Sequence, residues 1–388
     1  MKKIIGMILT LTFLLGINTY AEEQKAAPKK IEMTLEQAMK YALEHNKLIK
    51  DKKDDVTDAD ENYYNAQMRT SSIASTSIKT NFGDSGMAAE AEYAYYKGYT
   101  LENVKNALEQ AKKLEELQEQ VTSYNIQKNA FAIEESKCDL NYLIKNKKKL
   151  EKDLSIAQTK FKLQMINKNQ LDQVTAAVYQ MDTRIKLIND ILKIRNNALK
   201  GYVGVDRNVE LTIILPKTGF KEVTGVDIEA AESKAATSRI DAIYLTDGLE
   251  ALEMDYKVYD YFKNQIAFDT YKTKRDNYNK AKDNYENDMN DIKQKVEYVY
   301  EALLTSEKQY LDAIDSYKIA LTTNKIDKKK LSLGMISKVD FTTSSLALLK
   351  TEIDLKKALN ENILANIRFQ ASYTVGEIDP VLAAASGM

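Results

Sequence analysis

The stretches FKLQMINKNQL, residues 161–171, and LSLGMISKVDF, residues 331–341, carry one local instruction twice, 170 positions apart. Leu163 and Leu333, Met165 and Met335, Ile166 and Ile336, and Lys168 and Lys338 fall in register. In each stretch a capping residue is followed three positions later by one that can reach back to it, Asn167 by Gln170 and Ser337 by Asp340. That spacing launches a capped helix. Gly334 suits a helix C-terminus with positive φ, a position that Gln164 takes in the other copy. Each stretch therefore predicts a sharp reversal between two helices, and the duplication predicts a chain built twice.

The sequence around these turns supports long helices. The three prolines are Pro28, Pro216 and Pro380, and glycine is absent from 99–200 and from 249–333. Breakers so segregated imply helices with few interruptions. Two long helices are expected at about 101–163 and 270–333, each roughly 95 Å long at 1.5 Å per residue. In the second, Tyr278, Tyr285, Ile292 and Val299 repeat every seven residues, as do Met289, Val296, Leu303, Tyr310 and Tyr317. Leu117, Tyr124, Phe131 and Cys138 do so in the first. These series make coiled-coil seams, and the longer ones exceed what one partner within the chain would cover, which implies assembly between copies.

Shorter helices follow at about 170–200 and 339–372, and shorter ones precede. Thr34 and Gln37 form a capping box opening a helix whose Leu35, Ala38, Met39, Ala42 and Leu43 share a face, a pattern that weakens towards Met68. After Asp227, the residues Ile228, Ala231 and Ala235 match Leu35, Ala38 and Ala42. Two shorter helices stacked end to end can pair antiparallel with one long helix. Between the halves, 209–215 reads as a short strand stopped by Pro216. The expected organisation is a signal peptide at 1–21, a first helical repeat at 31–206, a linker at 207–226, a second repeat at 227–376 and a tail at 377–388.

Lys2 and Lys3, the apolar run 4–17 and Ala21 describe a secretory signal with cleavage after Ala21. The exported chain belongs in the cell envelope. Its net charge of −1, about −3 without Lys2 and Lys3, gives no electrostatic case for nucleic acid. Cys138 is the single cysteine, so no intrachain disulfide forms, and His45 is the single histidine. No metal cluster, phosphate loop or nucleophile motif is present, and Asp283 and Asp288 lie on ordinary charged helix faces. No enzyme and no cofactor are expected.

The plan resembles the TolC-like outer-membrane efflux family. MTLEQAMKYALEHN at 33–46 is similar to that family's opening helix, and 317–355, with Gly334, Ser337 and Asp340, to its second long helix and turn. ALKGYVGV at 198–205 and ASYTVG at 371–376 are similar to its half-ending motifs. The resemblance implies a mainly α fold of long antiparallel hairpins in two tandem repeats, a TolC-like α-tube. It implies a homotrimer acting as the passive exit duct of a tripartite exporter, reaching the outer membrane and joined to a membrane-fusion adaptor and an inner-membrane pump. The tips Leu163, Gln164, Met165, Ile166 and Asn167, with Leu333, Gly334, Met335, Ile336 and Ser337, would dock on the adaptor, with Gln170 and Asp340 as their helix caps.

The family carries a transmembrane β-hairpin in each half. Here the first half offers one candidate at 71–99, with strands 71–82 and 87–99 joined through 83–86, against an ordinary surface hairpin or a helix-rich insertion. The second half has no counterpart after Tyr261. Three copies would supply about six strands, below the eight of the smallest membrane barrels. The alternative function is therefore a barrel-less coiled-coil protein of the envelope, structural or adaptor-like.

Overall fold

The computed structural model describes residues 30–75, 99–217, 219–220, 222–261, 263–264 and 268–379. Helices α3, Leu101–Lys162, and α7, Phe268–Ser332, are its two beams, 62 and 65 residues long. Each reverses at a tip into a shorter antiparallel helix, α4 at Lys168–Val203 and α8 at Lys338–Ser372. The other half of each beam is covered by two further helices. These are α1, Leu35–His45, and α2, Lys47–Ser75, on α3, and α5, Ile228–Ser238, and α6, Ile240–Tyr261, on α7. Strand β1, Lys30–Thr34, runs parallel to β2, Glu210–Ile214, with Lys30 opposite Glu210 and Thr34 opposite Ile214. The pair ties the start of the first repeat to the residues that follow its end.

The core is a belt at the middle of the beams, where three buried clusters sit side by side. Leu35, Ala38 and Ala42 of α1 meet Ile126, Ala130 and Ile133 of α3 and Leu199 and Val203 of α4. In the second repeat Ala231 and Ala235 of α5 meet Ile292, Val296, Val299 and Leu303 of α7 and Ala365 and Phe369 of α8. Alanine at these positions lets the helix axes approach closely. Each fully buried Ile, Val or Leu contributes about 1.5–3 kcal/mol of transfer free energy. The third cluster joins the repeats, with Tyr124 and Phe131 of α3 against Leu364 and Ala371 of α8 and Val375 and Ile378 beyond it.

Polar groups seal that joint. Asp379, buried, accepts from the Tyr124 hydroxyl at 2.7 Å and from Lys128 at 2.8 Å, while Arg368 donates to the same Tyr124 oxygen at 2.9 Å. Burial raises the Tyr124 pKa well above the ordinary tyrosine range. Farther along, Lys357 pairs with Asp139 at 2.6 Å, Asn360 donates to Glu135 at 2.8 Å, and Lys356 pairs with Glu134.

The helices interrupt themselves twice where the sequence suggested continuity. The expected run from Thr34 towards Met68 breaks at Asn46, which has extended backbone. Its side-chain oxygen accepts from the backbone N–H groups of Leu48 and Ile49, and its amide donates to the Tyr202 carbonyl at 2.8 Å. Arg239, 193 positions on, does the corresponding work between α5 and α6. It donates to the Ser372 carbonyl at 2.8 Å and holds Asp241 through two bonds of 2.8 and 2.7 Å. Asn46 thus grips the end of α4 and Arg239 the end of α8. Gly204 (φ +82°) lets α4 end against the first break; a Cβ there would lie 2.6 Å from the His45 carbonyl oxygen.

Two expectations change. Residues 71–75 of the expected first strand are the last turns of α2, where the Thr70 and Ser71 hydroxyls bond back to the carbonyls of Ala66 and Gln67. The hydroxyls satisfy the helix instead of opening it, because α2 packs along α3. Residue 99 of the second strand already belongs to a wide helical turn entering α3. The remainder of the hairpin, like the signal segment, lies outside the described residues. Second, the seven-residue series of α7 is covered within the chain at its centre, since Ile292, Val296, Val299 and Leu303 face α5, α6 and α8.

Candidate docking tips

The two tips are one structure built from different residues. At the first, the Met165 N–H reaches the Lys160 carbonyl at 2.8 Å and the Gln164 N–H reaches Phe161 at 2.9 Å. At the second, Met335 bonds Lys330 at 2.8 Å and Gly334 bonds Leu331 at 3.0 Å. This nested pair is the Schellman ending, which requires a left-handed residue after the helix. Gln164 (φ 56°) and Gly334 (φ 70°) both supply it. The glycine does so without strain; the glutamine bears a steric cost of about 1–2 kcal/mol.

The N-cap of the next helix, Asn167 or Ser337, follows three residues after the left-handed one. Asn167 accepts from the Gln170 N–H and receives that side chain in return, both at 3.0 Å. Ser337 and Asp340 make the same reciprocal bonds at 3.1 Å, and the Ser337 hydroxyl adds one at 2.7 Å. These donors, the hydroxyl first and the backbone N–H second, hold the Asp340 carboxyl below its ordinary range, and Lys149 of the neighbouring α3 lowers it further. Each reversal is therefore fixed by backbone and caps alone, and its side chains are free for other work.

Those side chains are apolar and bare. Leu163 and Met165 are 65% and 66% exposed, and Leu333 and Met335 are 73% and 68% exposed. Ile166 and Ile336 are half-buried. Gln164, Asn167, Gly334 and Ser337 lie exposed between them. The equivalent residues of the two tips thus share one geometry, at the ends of separate hairpins.

No protein-family model matches the chain, and no curated protein matches it. Solved structures do. The Campylobacter jejuni CmeC outer membrane channel is 14% identical, with a TM-score of 0.58 over 91% of this chain and 88% of its own. The Vibrio cholerae outer membrane protein VceC is 10% identical, with a TM-score of 0.58 over 89% of this chain and 97% of its own. CusC, a protein described through its folding and transmembrane channel formation, gives 11%, 0.61, 88% and 92%. These are channels of the TolC family. The chain has the TolC-like fold.

The reactive residues singled out in the sequence lie apart from the tips. His45 stacks on Tyr41 at 3.8 Å on an exposed face. Cys138 is half-buried, and burial raises its thiol pKa. Asp283 and Asp288 are exposed on α7. Among the described residues no group of His, Cys, Asp and Glu could hold a metal, and no helix is long and apolar enough to cross a membrane.

The sequence reading missed two apolar stripes. Tyr179, Leu187 and Ile194 are exposed along α4 at spacings of eight and seven. Leu311, Ile319 and Ile326 are exposed along α7 at the same spacings. The signal was present as helical periodicity, but the intrachain seams masked it.

Proposed function

We propose that the protein is a passive exit duct of the cell envelope. It is exported, assembles as a trimer and conducts cargo from a tripartite exporter towards the outer membrane. The single observation that carries this reading is the pair of bare apolar tips, held in matching turns at the ends of helices about 95 Å long. Exposed leucine and methionine in such turns serve no folding purpose and fit a partner, here a membrane-fusion adaptor carrying an inner-membrane pump. The stripes on α4 and α7 belong to different repeats and share one spacing, so one copy's α4 can meet the next copy's α7. Such a heterologous contact closes into a ring when the rotation permits.

Imaging of the purified protein tests the duct. Hollow three-fold particles support it, and isolated rods at micromolar concentration remove it.

One observation favours the alternative, a barrel-less envelope protein. Only six residues separate Tyr261 from Phe268, too few for two membrane strands of about 9–11 residues each. Membrane fractionation separates the readings, since the duct pellets with the outer membrane and resists salt and carbonate washes.

A further inference from the structure

We propose that the tips fit a protein surface whose apolar slot is ringed by carboxylates. This deepens the docking reading above and rests on it. Residues 160–171 hold three lysines and 328–339 hold four, and neither segment contains Asp or Glu, in a chain whose net charge is −1. Positive charge is concentrated at both turns.

Some of these lysines have a local explanation. Lys160 and Lys162 close α3 and Lys329 and Lys330 close α7, where the negative end of the helix dipole favours cations. Lys168 and Lys338 do not. Each is the first residue of its helix, at the positive end, where a cation is disfavoured. The first turn of α4 has no acid to compensate, and Asp340 of α8 is engaged by Ser337. Both repeats thus place a cation against the local preference, at the same point of the same turn. All these lysines are exposed, and among the described residues only Lys330 has a carboxylate in range, Asp327 at 3.9 Å.

The exposed cations flank Leu163 with Met165 and Leu333 with Met335 in the sequence of each turn. The complement is a pocket apolar at its floor and acidic at its rim, where charges steer encounter and fix register. An anionic membrane offers charge as well, but binding there uses a broad apolar helix face. The tips instead offer a few side chains on rigid turns.

The test uses the full chain in native envelopes. A photo-crosslinking residue in place of Met335 reports docking, and a water-soluble carbodiimide, which joins lysine amines to carboxylates, reports the chemistry of the partner. The expected result is a photo-adduct with a second protein and isopeptide links from Lys168 or Lys338 to Asp or Glu of that protein. The pair Lys168→Glu and Lys338→Glu, benign to folding because acids suit these helix positions, should cut the photo-adduct about tenfold or more. Lys168→Arg with Lys338→Arg should retain it.

A photo-adduct undiminished by the glutamates, or formed without isopeptide links, overturns the acidic rim and leaves docking intact. No protein adduct at all removes docking as well. Adducts with lipid alone, together with flotation on phosphatidylglycerol vesicles but not on phosphatidylcholine ones, overturn the proposal in favour of a membrane.

Discussion

Asn46→Ala separates a clasp from a mere kink. The side chain is 3% exposed and makes bonds in two directions. Its oxygen caps α2 through Leu48 at 2.9 Å and Ile49 at 3.3 Å, and its amide satisfies the Tyr202 carbonyl at 2.8 Å. Alanine removes a cap, about 1 kcal/mol, and leaves a helix-end carbonyl unpaired, about 1–3 kcal/mol, so about 2–4 kcal/mol is expected. Asn46→Asp keeps the cap acceptor but sets a carboxylate against carbonyls, so at neutral pH it should cost at least as much. Its folded pKa would be raised, so that loss is present above the folded value and relieved as pH falls through it. Guanidinium unfolding followed by far-UV circular dichroism, at one fixed protein concentration, gives the differences. If Asn46→Ala and Asn46→Asp both stay within about 0.5 kcal/mol of the parent, the clasp does not hold α4 and the reasoning is refuted.

The second clasp should behave alike: Arg239→Ala should cost about 2–4 kcal/mol, less than a fully buried pair because Asp241 is 38% exposed, and Arg239→Lys should recover only part of it in the same unfolding assay. Gly204→Ala should cost about 2–5 kcal/mol through strain and overpacking, whereas Gly334→Ala, whose Cβ would meet nothing within 4 Å, should cost about 1 kcal/mol. Thermal melts should show stability holding or rising as pH first drops, then falling. Burial raises the carboxyl pKa of Glu135 and Glu377, so their penalty, present when ionised, is relieved as pH descends through those raised values. Asp241 is the opposite case. Burial opposes ionisation, but the Arg239 guanidinium wins and lowers its pKa. Its contribution is therefore complete above the ordinary aspartate value of about 3.9 and lost as pH falls through the lower folded one. Glu135→Gln should flatten the rise. Met165→Asp with Met335→Asp should shift stability by no more than about 0.5 kcal/mol each yet abolish adaptor crosslinking; a double variant that unfolds would show the tips to be packing elements.

The beams were legible because glycine and proline are missing from them, and the reversals because capping pairs are local chemistry. The breaks at Asn46 and Arg239 were not. Asparagine is a good cap, so Asn46 carried a faint signal inside a helical run. Arginine is a good helix former, and the break at Arg239 depends on Asp241 beside it and on Ser372, distant in the chain. Strand β1 escaped notice for a similar reason, since its partner β2 lies 180 positions away and a five-residue strand has little pattern of its own. At the tips, exposure of Leu163 and Met335 followed from their place in a sharp turn. The partial burial of Ile166 and Ile336 beside them required the fold.

The belt of alanines at the middle of the beams makes each hairpin a lever. Ile133, at the edge of the first cluster, and Leu163, at the tip, are 30 residues apart, about 45 Å along the helix, so a rotation of about 5° at the belt swings the tip by about 4 Å. The fulcrum is the close approach of Ala38 and Ala42 to α3, and of Ala231 and Ala235 to α7. A methyl group added there is a wedge under the arm. It alters the separation of two distant points without touching either.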